Sequence, residues 1–221
     1  LLPESSIFWA LMISFAALFV VCLILPDTRV EAPPIRMSNI WRLFAHPVFA
    51  LFMLCSALLQ SSHLIVYIFG TLYWRASGIS DGMIGLLWAI GVAAEIALFA
   101  VGSRLVAHFK PSGLFVIAAL AGVVRWTVLA YSTSLPVLVA VQLLHGITFG
   151  AAHLAAMAFI AAAIPARISA SAQSLHGAVA LSIAGGLIAP LLGPLYAEYG
   201  GGVFHAMTFL SLAGGVCALI L

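Results

Sequence analysis

The sequence has very little charge. Asp, Glu, Lys and Arg make up only 6% of its 221 residues, against 65% hydrophobic residues, whereas a water-soluble domain has about 25% charged residues. Eight basic and six acidic side chains cannot cover the surface of a soluble protein of this size. The composition therefore excludes a soluble domain and indicates an integral membrane protein. The net charge of +2 gives no sign of a nucleic-acid partner.

Lysine and cysteine are also scarce. Lys110 is the single lysine and lies between apolar stretches, so the intramembrane lysine that a retinal-based pump requires is missing. Cys22, Cys55 and Cys217 lie inside apolar stretches without metal-ligand spacing, and we interpret them as packing residues. The sequence has no phosphate-binding loop and no recognisable spacing of nucleophile and base. We therefore expect neither an enzyme nor a bound cofactor or metal.

Long apolar stretches dominate what is present, each about as long as the ~20 residues that cross a bilayer as a helix. Helices are expected because open sheet edges would leave backbone groups without hydrogen bonds in lipid. The predicted spans are residues 6–25, 47–73, 82–103, 112–131, 135–164, 168–197 and 203–221. The predicted fold class is an all-α membrane protein, in which a six-helix domain, residues 47–221, follows one additional helix, residues 1–25.

Residues 26–46 form the one long connection, and Pro26, Pro33 and Pro34 mark it as a linker. Basic residues collect in cytoplasmic loops. Placing the linker in the cytoplasm leaves only Arg75 on the opposite face and collects the following residues on the cytoplasmic side: Arg29, Arg36, Arg42, Arg104, Lys110 and Arg167. The chain begins without methionine and ends within an apolar stretch, so we expect it to be part of a larger protein.

Two charged residues lie inside the predicted spans: Glu95, in LLWAIGVAAEIALFA, and Arg125, in AGVVRWTVLA. Each costs about 2.5 to 3.5 kcal/mol at the centre of a bilayer. Arg125 is about 20 Å from the cytoplasmic start of its helix, which makes snorkelling an unattractive explanation. Arg125, His145 and Glu95 lie about 10, 15 and 20 Å below the outer surface, so these depths allow contact without requiring it. We interpret the two charges as functional, with a neutral, desolvated Glu95 as the structural alternative.

Two spans carry polar stripes at helical spacing. In VQLLHGITFGAAHLAAM the stripe consists of Gln142, His145, Phe149 and His153. Beside it, Gly146 and Gly150 form a G-x-x-x-G spacing that permits close approach of another helix. In SALLQSSHLIVYIFG the stripe consists of Ser56, Gln60, His63 and Tyr67. The shared Gln-x-x-His is either chance or a trace of two inverted three-helix repeats, an arrangement common in secondary transporters.

The remaining histidines and tryptophans are weaker candidates for function than the residues of these two stripes. His176 is a lone histidine on an apolar face, for which a backbone hydrogen bond is the ordinary explanation. His46, His108 and His205 are interfacial and carry no functional prediction. Trp88 and Trp126 lie deeper in the membrane, near the polar groups, and are candidates for stacking on a ligand.

The strings LLQSSHLIVYIFGTLYW, GLLWAIGVAAEIALF, GVVRW and QLLHGITFGAAHLAAM occur in this order. From Arg42 to Leu221 the sequence resembles the C-terminal half of the phenylpropionate permease group of the major facilitator superfamily. The resemblance implies that span 6–25 is the sixth of twelve helices and that residues 26–46 are the central cytoplasmic loop. It also implies a missing N-terminal half, a bacterial inner membrane, and proton-coupled uptake of a small organic solute by alternating access. The family positions that it carries over are Gln60, His63, Tyr67, Glu95, Arg125, Gln142, His145 and His153.

The fold is also similar to lactose permease, in which an intramembrane Arg, His and Glu manage proton coupling. Arg125 and His145 lie on comparable helices, but Glu95 lies on the third span, which argues against an identical relay. The leading hypothesis assigns proton coupling to Glu95, Arg125 and His145, with His145 relaying a proton or donating to the substrate. It assigns substrate binding to the following residues: Gln60, His63, Tyr67, Gln142, Phe149, His153 and Trp126. The alternative hypothesis is an electron-transfer subunit in which His63 and His145 ligate haem b.

Overall fold

The computed structural model describes residues 4–26 and 43–221. The chain divides into two units, Leu1–Pro34 and Ile35–Leu221, which we describe separately. Residues 27–42 of the predicted linker lie outside the described residues, and with them lie Arg29, Arg36 and Arg42. The predictions for the linker therefore stay predictions.

Residues 4–26, the described part of the first unit, contain one helix, α1, Glu4–Ile24. Large apolar side chains are exposed around it, from Phe8 to Leu25. A helix of this length reaches about 30 Å, the thickness of the hydrocarbon core of a bilayer. The prediction of an apolar helix at residues 6–25 is therefore confirmed.

The described part of the second unit consists of helices joined by short turns, without a strand, and the all-α prediction is confirmed for residues 43–221. Ten α-helices follow one another from residue 47 onward within the part that the structure describes. Their bounds are α2 Pro47–Ser61, α3 Leu64–Ala76, α4 Asp81–Ala100, α5 Gly102–His108, α6 Pro111–Tyr131, α7 Leu135–His145, α8 Ala152–Ala163, α9 Ala166–His176, α10 Ala184–Tyr199 and α11 Phe204–Ile220. Five continuous helical stretches of this unit are long and apolar enough to cross a membrane.

The last of these stretches, Ala166–Ile220, has 55 residues. At about 1.5 Å per residue it would be about 80 Å long if straight, against a hydrocarbon core of about 30 Å. A 3₁₀ turn, Gly200–Val203, interrupts it, and Gly200 has a φ of 52°, a conformation that favours glycine. The turn separates α10 from α11. The total of six crossings in residues 47–221 stays a prediction.

The contacts of α11 and α4 define how the helices pack. The hydroxyl groups of Thr127 and Thr208 lie 3.3 Å apart, and the rings of Tyr131 and His205 lie 5.1 Å apart, so α11 runs antiparallel to α6. By contrast, Gly91 of α4 lies beside Gln142 and His145, and Leu98 lies further along beside Gly150. Helices α4 and α7 therefore run in the same direction, as the predicted spans require.

Three of the long helices are irregular near their centres. Helix α2 ends at Ser61 and α3 begins at Leu64, so His63 lies at the break. Wider π-helical turns, Gly146–Ala151 and Gly177–Ile183, directly follow His145 and His176. Such turns occur frequently at functional sites. Buried apolar clusters lie on either side of this polar level, around Phe52 and around Trp74.

Candidate functional site

Arg125 is the centre of a buried polar cluster. Its side chain on α6 is 1% exposed, and its Cζ lies 4.6 Å from the centre of the Trp126 ring. One terminal nitrogen, Nη1, donates to Thr148 Oγ1 at 2.9 Å and to His145 Nδ1 at 3.0 Å. The other, Nη2, donates to Gln142 Oε1 at 2.8 Å. A buried guanidinium requires such charge-assisted hydrogen bonds to offset the loss of its hydration.

His145 connects Arg125 to the acid of α4. Because a guanidinium can only donate, Nδ1 of His145 must accept, and the ring proton of the neutral imidazole is on Nε2. This Nε2 lies 3.6 Å from Oε2 of Glu95. The imidazole therefore lies between the two intramembrane charges. The sequence left open whether Arg125 and Glu95 meet. In the structure they are connected through His145.

Glu95 reaches this position because two glycines allow α4 to come close. A Cβ atom added at Gly146 would lie 2.5 Å from the carbonyl oxygen of Ala94. A Cβ atom added at Gly150 would lie 3.5 Å from Cγ of Glu95 and 3.3 Å from Cδ2 of Leu98. The predicted close approach at the G-x-x-x-G spacing is confirmed, and the helix that approaches is α4. The Glu95 side chain remains 21% exposed.

Gln142 is a buried support of the cluster. Its Nε2 donates to the carbonyl oxygen of Leu87 at 2.9 Å, while its Oε1 accepts from Arg125. Since the residue is only 1% exposed, it ties α7 to α4 and α6 at once. Gln142, which the sequence predicted to bind substrate, therefore lies behind the surface of the site.

Thr148 and His63 continue the hydrogen-bond chain toward the break between α2 and α3. His63 Nδ1 lies 3.1 Å from the carbonyl oxygen of Leu59, which can only accept, so Nδ1 is protonated. In the neutral ring, Nε2 then accepts from Thr148 Oγ1 at 3.0 Å. Sequence reasoning missed Thr148, although its position three residues after His145 was a usable signal. His63 is 1% exposed and, like Gln142, lies inside the protein.

Aromatic side chains form one wall beside Glu95 and His145. Tyr67 stacks on Trp88 with ring centroids 6.1 Å apart and is 46% exposed. His145 and Phe149 stack at 5.4 Å, and Phe149 and His153 are nearly parallel at 6.5 Å. The predicted stripe on this helix therefore keeps one face through the π-helical turn. We call Tyr67, Trp88 and Phe149 the aromatic wall.

Trp126 belongs to the core instead of the wall. It is fully buried, and its Nε1 lies 3.2 Å from Ser62 Oγ and 3.1 Å from Ser211 Oγ. Its ring also packs parallel to Phe204 at 6.4 Å. These contacts join α6, the end of α2 and α11. The structure gives Trp126 no surface on which a ligand could stack in this arrangement.

Gln60 lies at a small cavity. It is 6% exposed, its neighbour Ser61 is 3% exposed, and both line a cavity of about 170 Å³. The complete lining consists of Gln60, Ser61, Leu64, Tyr67, Phe149, Leu181 and Gly185. The cavity therefore adjoins the aromatic wall through Tyr67 and Phe149.

His176 takes part in a second buried group. Its Nε2 lies 2.7 Å from Ser56 Oγ on α2, and its ring stacks on Phe52 at 5.7 Å. The sequence favoured a backbone partner for this histidine, whereas the structure provides a serine side chain from another helix. His153 lies at 6.5 Å, ring to ring, from His176. His153 thus lies between Phe149 of the aromatic wall and His176 of the second buried group.

The geometry is unfavourable for the haem alternative. The rings of His63 and His145 lie 5.7 Å apart at an angle of 75°. Both nitrogens of His63 have hydrogen-bond partners, and those of His145 face Arg125 and Glu95. In the described part of the chain, no group of three or more His, Cys, Asp or Glu side chains could hold a metal ion.

Comparison with known proteins identifies the family. A sequence model of the MFS_1 like family matches residues 2–207. The chain is also similar to a protein of Escherichia coli (strain K12) named probable 3-phenylpropionic acid transporter, with 38% identity over 161 residues. That match covers 73% of this chain and 42% of the relative. The matched region thus spans less than half the length of this curated relative.

These matches agree with the apolar helices of the second unit and with the resemblance that the sequence motifs carry. They indicate a multi-pass membrane protein of a transporter family and not an enzyme family. The chain belongs to the MFS_1 like family of the major facilitator superfamily, in the neighbourhood of the phenylpropionate permeases.

Proposed function

We propose that residues 47–221 are the C-terminal domain of a two-domain secondary transporter that takes up a small aromatic carboxylic acid together with protons. The observation that carries the proposal is the line of Arg125, His145 and Glu95 inside the membrane domain. Ionisable groups are costly at that depth, and in membrane proteins they mark pathways of ions, protons and substrates. An aromatic wall directly beside this line supplies a surface for an aromatic ring.

Glu95 is the group that takes up and releases the proton. Its side chain is 21% exposed, whereas Arg125 is 1% exposed, so water reaches the carboxyl group and not the guanidinium. As a carboxylate, Glu95 attracts the His145 Nε2–H and the positive charge behind it. Once protonated, it loses this attraction, and the link between α4 and α7 weakens. Protonation therefore changes the relative stability of two packings of these helices, which is what alternating access requires.

The substrate class rests on the relative and on the aromatic wall together. The printed name of the relative specifies 3-phenylpropionic acid, which combines an aromatic ring with a carboxylic acid. Tyr67, Trp88 and Phe149 offer ring faces on the side of the domain where Tyr67 is 46% exposed. Rings stack favourably on such faces.

The remaining partners follow from the length of the relative. Since the match covers 42% of it, the proposal includes an N-terminal half that supplies the opposite wall of the cavity. Within the proposed transporter, α1 is the sixth helix and residues 26–46 are the central cytoplasmic loop. Residues 47–221 are two inverted three-helix repeats, and the membrane is the bacterial inner membrane.

The test uses the complete two-domain transporter in proteoliposomes with an imposed pH gradient. Glu95→Gln should reduce gradient-driven accumulation of 3-phenylpropionic acid at least tenfold while leaving exchange of external for internal substrate measurable. Glu198→Gln is the matched control, because Glu198 is exposed near the end of α10. Undiminished gradient coupling in Glu95→Gln would remove the proposed role of this residue.

A further inference from the structure

Gln60 and Ser61, two residues that line the cavity beside the aromatic wall, have buried polar atoms without a hydrogen-bond partner in the described structure. Within residues 4–26 and 43–221, neither the Oε1 nor the Nε2 atom of Gln60 has a hydrogen-bond partner, and neither does Ser61 Oγ. Both side chains are more than nine-tenths buried, and both line the cavity of about 170 Å³. A buried amide without partners destabilises the folded protein, because it has lost its hydrogen bonds to water. A ligand that forms these hydrogen bonds removes that cost.

The terminal nitrogens of Arg125 are not available as the anchor for a carboxylate. Both already donate to side chains of α7 and the turn after it, and the residue is 1% exposed. An anion that reached these nitrogens would have to displace Gln142 or Thr148. The Nε of Arg125 has no hydrogen-bond partner in the described structure, but Arg125 does not line this cavity. Among the residues that do line it, Gln60 and Ser61 have unpartnered polar atoms in the described structure.

The amide of Gln60 selects the form of an acid that both donates and accepts. Its Nε2 offers donors and its Oε1 offers an acceptor side by side. A carboxylate satisfies only the Nε2 donors and places its negative charge against Oε1. A protonated carboxylic acid satisfies both atoms, with its carbonyl oxygen accepting from Nε2 and its O–H donating to Oε1. A primary amide presents the same donor and acceptor pair.

We infer that this cavity binds the neutral, protonated form of the substrate's carboxylic acid, through paired hydrogen bonds to Gln60 and with Ser61 as an additional partner. The inference rests on the proposed function, which supplies the aromatic acid, and adds the protonation state in which the acid is recognised. The ring of the ligand extends from the cavity along Tyr67 and Phe149. On release, the O–H bond of the ligand breaks in water, the electron pair stays on the carboxylate, and the proton goes to the solvent.

Several titratable or charged side chains belong to the elements near this cavity, and any test must separate their titration from that of the ligand. They are His63 at the break between α2 and α3, Tyr67 on α3, Glu95 on α4, Arg125 on α6, His145 on α7, His153 on α8 and His176 on α9. The ratio of the Kd values of two ligands cancels the contribution of these protein groups, provided that the two ligands have the same shape and only one of them titrates. 3-Phenylpropionic acid and 3-phenylpropionamide form such a pair.

The experiment measures equilibrium binding to the complete transporter in nanodiscs, with radiolabelled 3-phenylpropionamide as the tracer and 3-phenylpropionic acid as the competitor. An aliphatic carboxylic acid has a pKa of about 4.3, like that of a Glu side chain in water. Its neutral fraction therefore falls about tenfold per pH unit above about pH 5.5. The ratio of the acid Kd to the amide Kd should therefore rise about tenfold per pH unit up to about pH 7.5. A flat ratio overturns the inference.

Two controls separate this inference from the proposed function. If radiolabelled acid binds but the amide neither binds nor competes, the neutral-form inference is wrong while the proposed substrate class stands. If neither ligand binds, the substrate class itself is wrong, and the inference falls with it.

Variants place the site on named residues. Gln60→Leu should weaken amide binding at least tenfold, and Ser61→Ala should weaken it less. Gln60→Leu removes an unpartnered buried amide, so folding should be maintained or improved. Gln173→Leu is the matched control, since Gln173 is exposed on α9 and bonds only Ser169 in the described structure. Unchanged amide affinity in Gln60→Leu overturns the assignment.

Discussion

His145 Nε2 lies 3.6 Å from Oε2 of Glu95, and the opposite nitrogen of the same ring accepts a hydrogen bond from Arg125 at 3.0 Å. One imidazole thus lies between a buried cation and an acid that is 21% exposed, and the three groups belong to three different helices. The contact with Arg125 places the ring proton of neutral His145 on Nε2. In the proposed function, protonation of Glu95 changes the packing of α4 against α7.

The first prediction concerns the tautomer of His145. Because Arg125 donates to Nδ1, the ring should carry its proton on Nε2. Nitrogen chemical shifts of the labelled chain in nanodiscs measure this directly. Arg125→Met removes the donor and should produce a mixture of both tautomers. A predominant Nδ1–H form in the unmodified chain would contradict the hydrogen-bond assignment.

The second prediction compares two glycines that each follow a histidine and begin a π-helical turn. A Cβ added at Gly146 would lie 2.5 Å from the backbone of Ala94, whereas one added at Gly177 meets nothing within 4 Å. Gly146→Ala should cost about 1 to 3 kcal/mol through overpacking. Gly177→Ala is the matched control and should leave stability nearly unchanged. Thermal unfolding in detergent measures both, and equal effects would argue against close packing of α4 at Gly146.

The third prediction concerns Gln142. Gln142→Leu leaves Arg125 Nη2 and the carbonyl of Leu87 without this partner, and it should lower stability by about 2 to 4 kcal/mol, because one of the two groups is charged. Gln173→Leu, on the exposed face of α9, provides the comparison and should have little effect. Chemical unfolding followed by Trp fluorescence checks the difference. A tolerant Gln142 would show that Arg125 finds another acceptor.

The fourth prediction separates two tryptophans. Trp126 is fully buried and bonds Ser62 and Ser211, whereas Trp88 stacks on the exposed Tyr67. Trp126→Phe should lower stability by about 1 kcal/mol or more through the lost hydrogen bonds and leave ligand affinity unchanged in the folded fraction. Trp88→Leu should weaken binding of an aromatic ligand in the folded fraction, because it removes a ring of the aromatic wall. The reverse pattern would restore Trp126 as a ligand contact.

Much of the site followed from sequence because burial in lipid restricts where polar residues can be. Glu95 and Arg125 stood out against apolar neighbours, and the step of His145, Phe149 and His153 placed their rings on one face, as observed. Sequence patterns were a weaker guide where the role of a residue depends on its partner. Gln60 and Gln142 share the same Gln-x-x-His pattern, yet Gln142 is fully engaged and Gln60 has no partner in the described structure.

The amino-acid sequence by itself determined the solvent and the secondary structure of this protein: so few charges and such long apolar stretches require lipid, and lipid requires helices. It also determined where α4 could come close, since only small side chains at residues 146 and 150 admit another backbone. The tertiary structure decided which buried groups meet. Hydrogen-bond partners such as Thr148 and His63 come from helices far apart in the chain, and 85 residues separate these two, so local periodicity contains no information about their pairing.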